Sequence, residues 1–187
     1  MDMNELLIEA ILHPIKQKTI TKIYKNLHTN KLNIMKQAVP EVLVWATFEK
    51  TFSTCLGYAL QDIAETCGND VKNTDKKQRK ILGIDLRISD TWEGQLKANK
   101  NTQTGTHKGD SIKKLLDTTK SHGTKPFFAV AFGDSFDYDS GGIRYIGGEA
   151  FWSWIGIDYD HLHGIITRIT RETADEVKHA YGHVLRG

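Results

Sequence analysis

The feature that most constrains the fold is a run of six consecutive apolar residues from Phe127 to Phe132. A short apolar run of this kind is typical of a central strand that is covered on both faces. Gly123 and Pro126, which precede it, mark the end of the helix before it. Strands covered on both faces need helices above and below, and helical patterns flank the run. The sequence therefore predicts a mixed α/β fold with a central mixed β-sheet flanked by helices.

Hydrophobic spacing predicts the other elements. A helix over residues 4–13 is expected to break or kink at Pro14, and a second helix then continues to about Leu27. Pro40 is expected to open a long helix, because proline favours the first helical position, and Gly68-Asn69 to stop it. Further strands are predicted at 81–88, 92–98 and 143–146, further helices at 110–121, 149–154 and 160–185, and an exposed loop at 71–80.

A chain of 187 residues is long enough for one domain with its own core. No apolar run approaches the length of a membrane span, and the first residues lack the pattern of a secretion signal. Cys55 and Cys67 fall in one predicted helix about 18 Å apart, beyond disulfide reach. We therefore expect a cytoplasmic protein with reduced, buried thiols and no membrane partner.

Charge is distributed unevenly, although the formal net charge is only +2. Residues 71–80 hold five basic side chains and one acid, and residues 95–125 hold seven lysines against two aspartates. Residues 134–160 reverse the sign, with six acids and one arginine. This asymmetry indicates a polyanionic partner at one face, or else lysines that only solvate an exposed face.

The stretch with the clearest chemistry is Gly83-Ile84-Asp85, which nine intervening residues separate from Gln95-Leu96-Lys97. Asp85 lies among apolar residues, where a carboxylate is costly unless it is paired or bound to a metal. Gln95 and Lys97 lie two apart on the next predicted strand and so share a face. If the two strands are neighbours, these side chains meet and could hold Mg²⁺. The alternative is a structural Asp–Lys ion pair at a strand end.

An aspartate followed about ten residues later by Glu/Gln-x-Lys resembles the active site of the PD-(D/E)XK nucleases. Phe48-Glu49-Lys50-Thr51-Phe52-Ser53-Thr54-Cys55-Leu56-Gly57 is similar to the first core helix of type II restriction endonucleases in that superfamily. Gln95-Leu96-Lys97 with Asn101-Thr102, and Gly148-Glu149-Ala150-Phe151-Trp152-Ser153-Trp154-Ile155-Gly156, resemble later segments of the same enzymes. The resemblance covers roughly residues 45–160.

The resemblance implies a PD-(D/E)XK restriction-endonuclease-like core and a role for each matching residue. Asp85 and Gln95 would bind Mg²⁺, Lys97 would be the catalytic lysine, and Glu49 would complete the metal site from the helix. The alternative for Glu49 is a solvated side chain paired with Lys50 or Lys97. Residues 41–187 would then form the catalytic core, with residues 1–40 as a helical cap or dimerisation element.

Gln95 departs from the commonest form of this motif, in which a glutamate or aspartate stands at that position. An amide still offers an oxygen ligand but carries no charge, so we expect weaker metal binding. Glu93 lies two residues earlier on the same strand face and is a possible substitute.

DNA contacts are expected mainly from the lysine-rich stretch that follows the active strand. Lysines suit phosphates, whereas amide, imidazole and guanidinium groups can read base edges. The candidates are Asn99, Lys100, Asn101, Gln103, His107, Lys108, Lys113 and Arg144. Cutting both strands of a palindrome calls for a two-fold homodimer.

The resemblance thus implies a prokaryotic, Mg²⁺-dependent, site-specific endonuclease of double-stranded DNA, as in restriction–modification systems. Two alternatives remain open. One is another nuclease of the superfamily, such as a junction resolvase or repair nuclease. The other is a DNA-binding module without catalysis, in which Gln95 marks a lost site.

Overall fold

A computed structural model describes residues 3–29, 40–74, 83–99 and 105–182 of the chain. The described residues fall into two compact units, within Met1–Leu56 plus His163–Gly187 and within Gly57–Leu162. In chain order the elements are α1 (Met3–Thr29), α2 (Pro40–Cys67), β1 (Val71–Asn73), β2 (Leu86–Ile88), β3 (Trp92–Lys97), α3 (Gly105–His122), β4 (Lys125–Val130), β5 (Phe136–Ser140), β6 (Ile143–Gly147), α4 (Glu149–Trp154) and α5 (Tyr159–Tyr181).

The first unit is helical and combines α1 with the first part of α2 and the last part of α5. Its core is one buried cluster to which all three helices contribute, namely Ile23, Val44, Val177 and Tyr181. The Tyr181 hydroxyl donates to the carbonyl of Ile20 at 3.3 Å, and burial raises the pKa of this tyrosine. At the surface Arg168 pairs with Glu9, which raises the pKa of the arginine. Apolar packing therefore fixes α1 against the other two helices.

The predicted break at Pro14 is wrong, because α1 runs through this residue without interruption. Proline removes one backbone N–H donor from a helix and crowds the preceding turn. Leu12 and Ile15, on either side of it, are 1% and 4% exposed. Burying each such side chain stabilises the fold by about 1.5–3 kcal/mol, which is enough to offset the cost of a proline inside the helix.

The second unit is built on a six-stranded sheet with the order β1-β2-β3-β4-β6-β5. β3, β4 and β6 run parallel to one another, whereas β1–β2, β2–β3 and β5–β6 are antiparallel pairs. The predicted mixed α/β class, with a mixed sheet and flanking helices, is confirmed. Within the described ranges, no helix has both the length and the apolar character to cross a membrane.

The strands differ from prediction at the two edges of the sheet. The loop predicted over 71–80 begins with strand β1, in which Val71 and Asn73 are buried. β5, which no predicted strand covers, is an edge strand with exposed side chains at Asp137 and Asp139. Part of the strand predicted over 81–88 lies outside the described residues, and the strand itself is Leu86–Ile88.

The predicted helices agree more closely with the structure. α2 begins at Pro40 and ends at Cys67, next to the predicted stop. α3 begins at Gly105, five residues before the predicted start at Asp110, and α5 begins at Tyr159. Both cysteines are free and partly exposed, so the expectation of buried thiols is wrong.

Strand β3 presents different chemistry on its two faces. Glu93, Gln95 and Lys97 lie on one face, which packs against α3. The other face carries Gly94, where an added Cβ would lie 2.2 Å from the carbonyl oxygen of Phe127. Only glycine fits this close approach of two central strands. The core on the α3 face contains Ile84, Leu115, Phe128, Val130 and Ile143.

Candidate active site

Asp85 and Lys97 form an ion pair across the junction of β2 and β3. Leu86 pairs with Gly94 in the antiparallel ladder, so Asp85 comes opposite the last residues of β3. The backbone N–H of Leu96 donates to Asp85 Oδ2 at 3.0 Å, and Lys97 Nζ donates to the same oxygen at 3.3 Å. Two donors from one strand thus fix the carboxylate, as expected if the two strands are neighbours.

The pair is only partly withdrawn from solvent. The Asp85 side chain is 16% exposed and the Lys97 side chain 25% exposed. At such positions opposite charges attract more strongly than on an open surface, because water screens them less. The ammonium group can therefore stay fixed beside Asp85 and still reach an anion that approaches from solvent.

Gln95 lies two residues before Lys97 on β3 and is 6% exposed. Of the two polar atoms of its amide, only the nitrogen has a hydrogen-bond partner among the described residues. Its Nε2 donates to the carbonyl of Gly83 at 2.9 Å, which fixes the orientation of the amide. Its Oε1 is buried and has no hydrogen-bond partner within the described part of the chain. A buried oxygen left without a donor costs about 1–3 kcal/mol. Gln61 Oε1 is in the same state among the described residues, and a water molecule or a cation would satisfy either oxygen.

The oxygen chemistry of these donors suits Mg²⁺, a hard cation that takes oxygen ligands and keeps several of its waters. The Asp85 carboxylate supplies charge, and Gln95 Oε1 supplies a neutral oxygen to which none of the described residues donates. Across the described ranges no group of three or more His, Cys, Asp and Glu side chains could hold a metal. A bound ion here would thus have few protein ligands and would be held less tightly than in a site rich in carboxylates.

Glu93, the possible substitute for Gln95, is committed to other partners. Its side chain is fully buried, and Arg87 donates to Oε1 from Nε at 2.8 Å and also from Nη2. Its Oε2 lies 2.8 Å from His122 Nδ1 and accepts from the Thr124 hydroxyl at 2.9 Å. Both oxygens are occupied, so a metal would have to displace these partners.

The electrostatics of Glu93 agree with this arrangement. Burial by itself would raise the pKa of this carboxyl, but hydrogen bonds from His122, Arg87 and Thr124 outweigh that effect and lower the pKa below its usual value. Sequence reasoning missed these three partners. The period-two alternation of β2 and β3 could have indicated Arg87, but nothing local connects Glu93 with residues about 30 positions later.

Glu49 lies on α2 in the first unit, where it is exposed, whereas Asp85, Gln95 and Lys97 belong to the second unit. Its predicted part in a metal site stays a prediction.

The predicted DNA-contacting residues are spread over three settings. Asn99 is exposed directly after β3, and Lys113 is exposed on α3. The backbone of His107 and Lys108 lies in the first turn of α3. Three others lie outside the described residues, namely Lys100, Asn101 and Gln103.

Arg144 lies on the face of the sheet opposite Gln95 and Lys97. In the ladder it pairs with Phe127, which contacts Gly94 on that opposite face. Its guanidinium stacks over Trp154 at 4.3 Å and donates two hydrogen bonds to Asp137, at 2.9 and 2.7 Å. The ion pair raises the pKa of Arg144 and lowers that of Asp137. The structure therefore does not bring Arg144 together with the Asp85–Lys97 pair.

No protein-family model matches this chain, and no curated protein matches it in sequence. The functional interpretation consequently depends on the geometry of the site and on the motif resemblance.

Proposed function

We propose that the chain is a Mg²⁺-dependent type II restriction endonuclease that hydrolyses phosphodiester bonds in double-stranded DNA. The observation that carries the proposal is the 3.3 Å contact between Lys97 Nζ and Asp85 Oδ2, together with the buried Oε1 of Gln95 on the same strand, which accepts from no described residue. A lysine, a carboxylate and an available oxygen are groups that metal-assisted hydrolysis of a phosphodiester uses. The mixed sheet that carries them is compatible with a PD-(D/E)XK core.

Each residue of the site has a distinct role in this proposal. Asp85 and Gln95 would hold the metal, and Asp85 also fixes the ammonium of Lys97 through the shared Oδ2. When bound there, the metal would supply polarisation of the scissile phosphate and a water of lowered pKa. Lys97, a quarter exposed, positions the attacking water and stabilises the negative charge that develops on the phosphate.

The substrate and the assembly follow from this chemistry. Exposed Lys113 on α3 provides a phosphate contact on the face of the sheet that carries Lys97. A palindromic site that is cut on both strands calls for a homodimer with two-fold symmetry. A restriction enzyme of this kind acts in the cytoplasm of a prokaryotic cell.

Digestion of plasmid DNA with Mg²⁺ tests the proposal, with Lys97→Ala as the variant. Lys72→Ala is the matched control, because Lys72 also lies on a strand of the sheet and pairs with an aspartate, Asp90, at 3.1 Å in an exposed position. We expect discrete fragments from the wild type and the control. In Lys97→Ala the cleavage rate should fall by a factor of about 100 or more. Gel-shift binding should be largely kept. Undiminished cleavage by Lys97→Ala would refute the site.

A DNA-binding module without catalysis is the second candidate. The observation in its favour is that the ammonium of Lys97 is already satisfied by Asp85 while an uncharged amide stands at position 95. Binding without cutting in the same digest would support this candidate. Structure-selective nicking would instead indicate a junction resolvase or a repair nuclease.

A further inference from the structure

A cleft of about 690 Å³ opens between α1 and α2 within the first unit. This volume lies in the range of sites for small molecules, about 300–1,000 Å³. The described residues that line it are Lys18, Lys22, Ala46, Thr47, Lys50, Thr51, Thr54 and Cys55.

Helical spacing explains why these side chains converge. Lys18 and Lys22 are four residues apart and share one face of α1. The lining residues of α2 come in pairs from three successive turns, at 46–47, 50–51 and 54–55. Ile23 packs with Val44 in the core of the same unit and holds the two helices together. The cleft is thus bounded by packed helices rather than by loops.

Positive charge dominates the cleft. None of its described lining residues carries a carboxylate, and none of the acids whose side chains the structure describes pairs with its three lysines. Two other cations of this unit are neutralised, because Lys16 pairs with Glu176 and Arg168 pairs with Glu9. Three ammonium groups that share one concave surface repel each other, and a multiply charged anion relieves that repulsion.

We propose that this cleft binds phosphate groups, held by Lys18, Lys22 and Lys50. A lysine acts as a mobile point charge that matches a phosphate without a fixed bidentate geometry. The hydroxyl of Thr51, on the turn of α2 that also carries Lys50, can donate a further hydrogen bond. The phosphates come either from a small phosphorylated compound or from a nucleic-acid backbone. The proposal does not depend on the Asp85–Lys97 site.

Cys55 provides a direct readout, since it lines the cleft and the chain has one other cysteine. In a Cys67→Ser background, the rate of Cys55 alkylation by N-ethylmaleimide is measured with pyrophosphate, ATP or a DNA duplex, and with KCl at matched ionic strength. A ligand at about ten times its Kd should slow alkylation about tenfold, because about a tenth of the molecules stay unoccupied. Equilibrium dialysis with ATP and with the duplex gives the same comparison without the thiol.

The lysines are tested by Lys18→Gln, Lys22→Gln and Lys50→Gln combined, with Lys178→Gln as control because Lys178 is an exposed lysine of α5. We expect protection to disappear in the triple variant and to persist in the control. Protection by pyrophosphate and ATP identifies a small phosphorylated ligand, and protection by the duplex alone identifies a nucleic-acid backbone. Absence of protection and of binding in dialysis, equal protection by KCl, or protection unchanged in the triple variant would overturn the proposal. Plasmid cleavage is scored separately, so that a failed nuclease proposal is not mistaken for a failed cleft.

Discussion

Glu93→Gln is the substitution whose effect on stability can be worked out most fully from the structure. The wild-type carboxylate is fully buried and accepts from Arg87, His122 and Thr124. The amide keeps one accepting oxygen, but it turns the other oxygen into an NH₂ group that faces donors. Removing one partner from a buried ionic network typically costs about 3–5 kcal/mol. Because the Arg87 side chain is 30% exposed and can be rehydrated, we expect about 2–3 kcal/mol.

The direction of the pKa shift predicts how the stability contribution of Glu93 changes with pH. The folded-state pKa of Glu93 lies below its ordinary value of 4.5, so its contribution to stability is fully present above that value. It is lost as the pH falls from about 4.5 through the folded-state pKa, because the native state must then take up the proton. The groups that face the carboxylate are Arg87, His122 and Thr124. We therefore expect the difference in free energy of unfolding between wild type and Glu93→Gln to shrink in acid.

Urea denaturation at about pH 7 and at about pH 3.5 measures that difference. Asp90→Asn is the matched control, because it neutralises an ion-paired carboxylate of the same unit whose side chain is 68% exposed. The control should lose at most about 1 kcal/mol. A loss of less than about 0.5 kcal/mol in Glu93→Gln, or a loss that is unchanged in acid, would contradict the assignment of Glu93 as a buried, hydrogen-bonded anion.

Two further substitutions test strand β3. Gly94→Ala should destabilise the fold by about 3 kcal/mol, because the new Cβ would lie 2.2 Å from the Phe127 carbonyl oxygen. Gly109→Ala is the control, because this residue of α3 has open space around it, and it should stabilise the fold by up to about 1 kcal/mol. Urea denaturation of both variants measures the two effects. Gln95→Glu should lower the melting temperature without metal, because it buries a charge, and Mg²⁺ should raise its melting temperature more than that of the wild type. Equal or absent Mg²⁺ effects in the two proteins would argue against Gln95 as a metal ligand.

The central part of the fold could be predicted because its signals are local. The apolar run at Phe127 and the proline at position 40 each determine an element through their immediate neighbours. The edge strands escaped prediction for a physical reason. In β5 Asp137 and Asp139 alternate with aromatic residues, and an exposed edge strand tolerates acids that resemble a turn.

The alternation of side chains along a strand made the candidate site partly predictable. Residues two apart share a face, so Gln95 and Lys97 could be placed together, and a neighbouring strand then brings Asp85 to them. The partners of Glu93 could not be found in this way. His122 and Thr124 lie 29 and 31 residues further along the chain and reach the carboxylate only because α3 returns the chain to β4 beside β3.

The three polar residues on one face of β3 distinguish two interpretations of the site, a metal site and a purely structural ion pair. Glu93 is explained by structure alone, since three neighbours saturate both of its oxygens. Lys97 is also explained, because Asp85 neutralises it at 3.3 Å. A purely structural ion pair, however, gives no reason for a buried Gln95 whose amide nitrogen is fixed by Gly83 while its oxygen has no donor. An apolar side chain there would avoid that cost, so the amide oxygen calls for a further ligand, which is either a water molecule or the proposed metal.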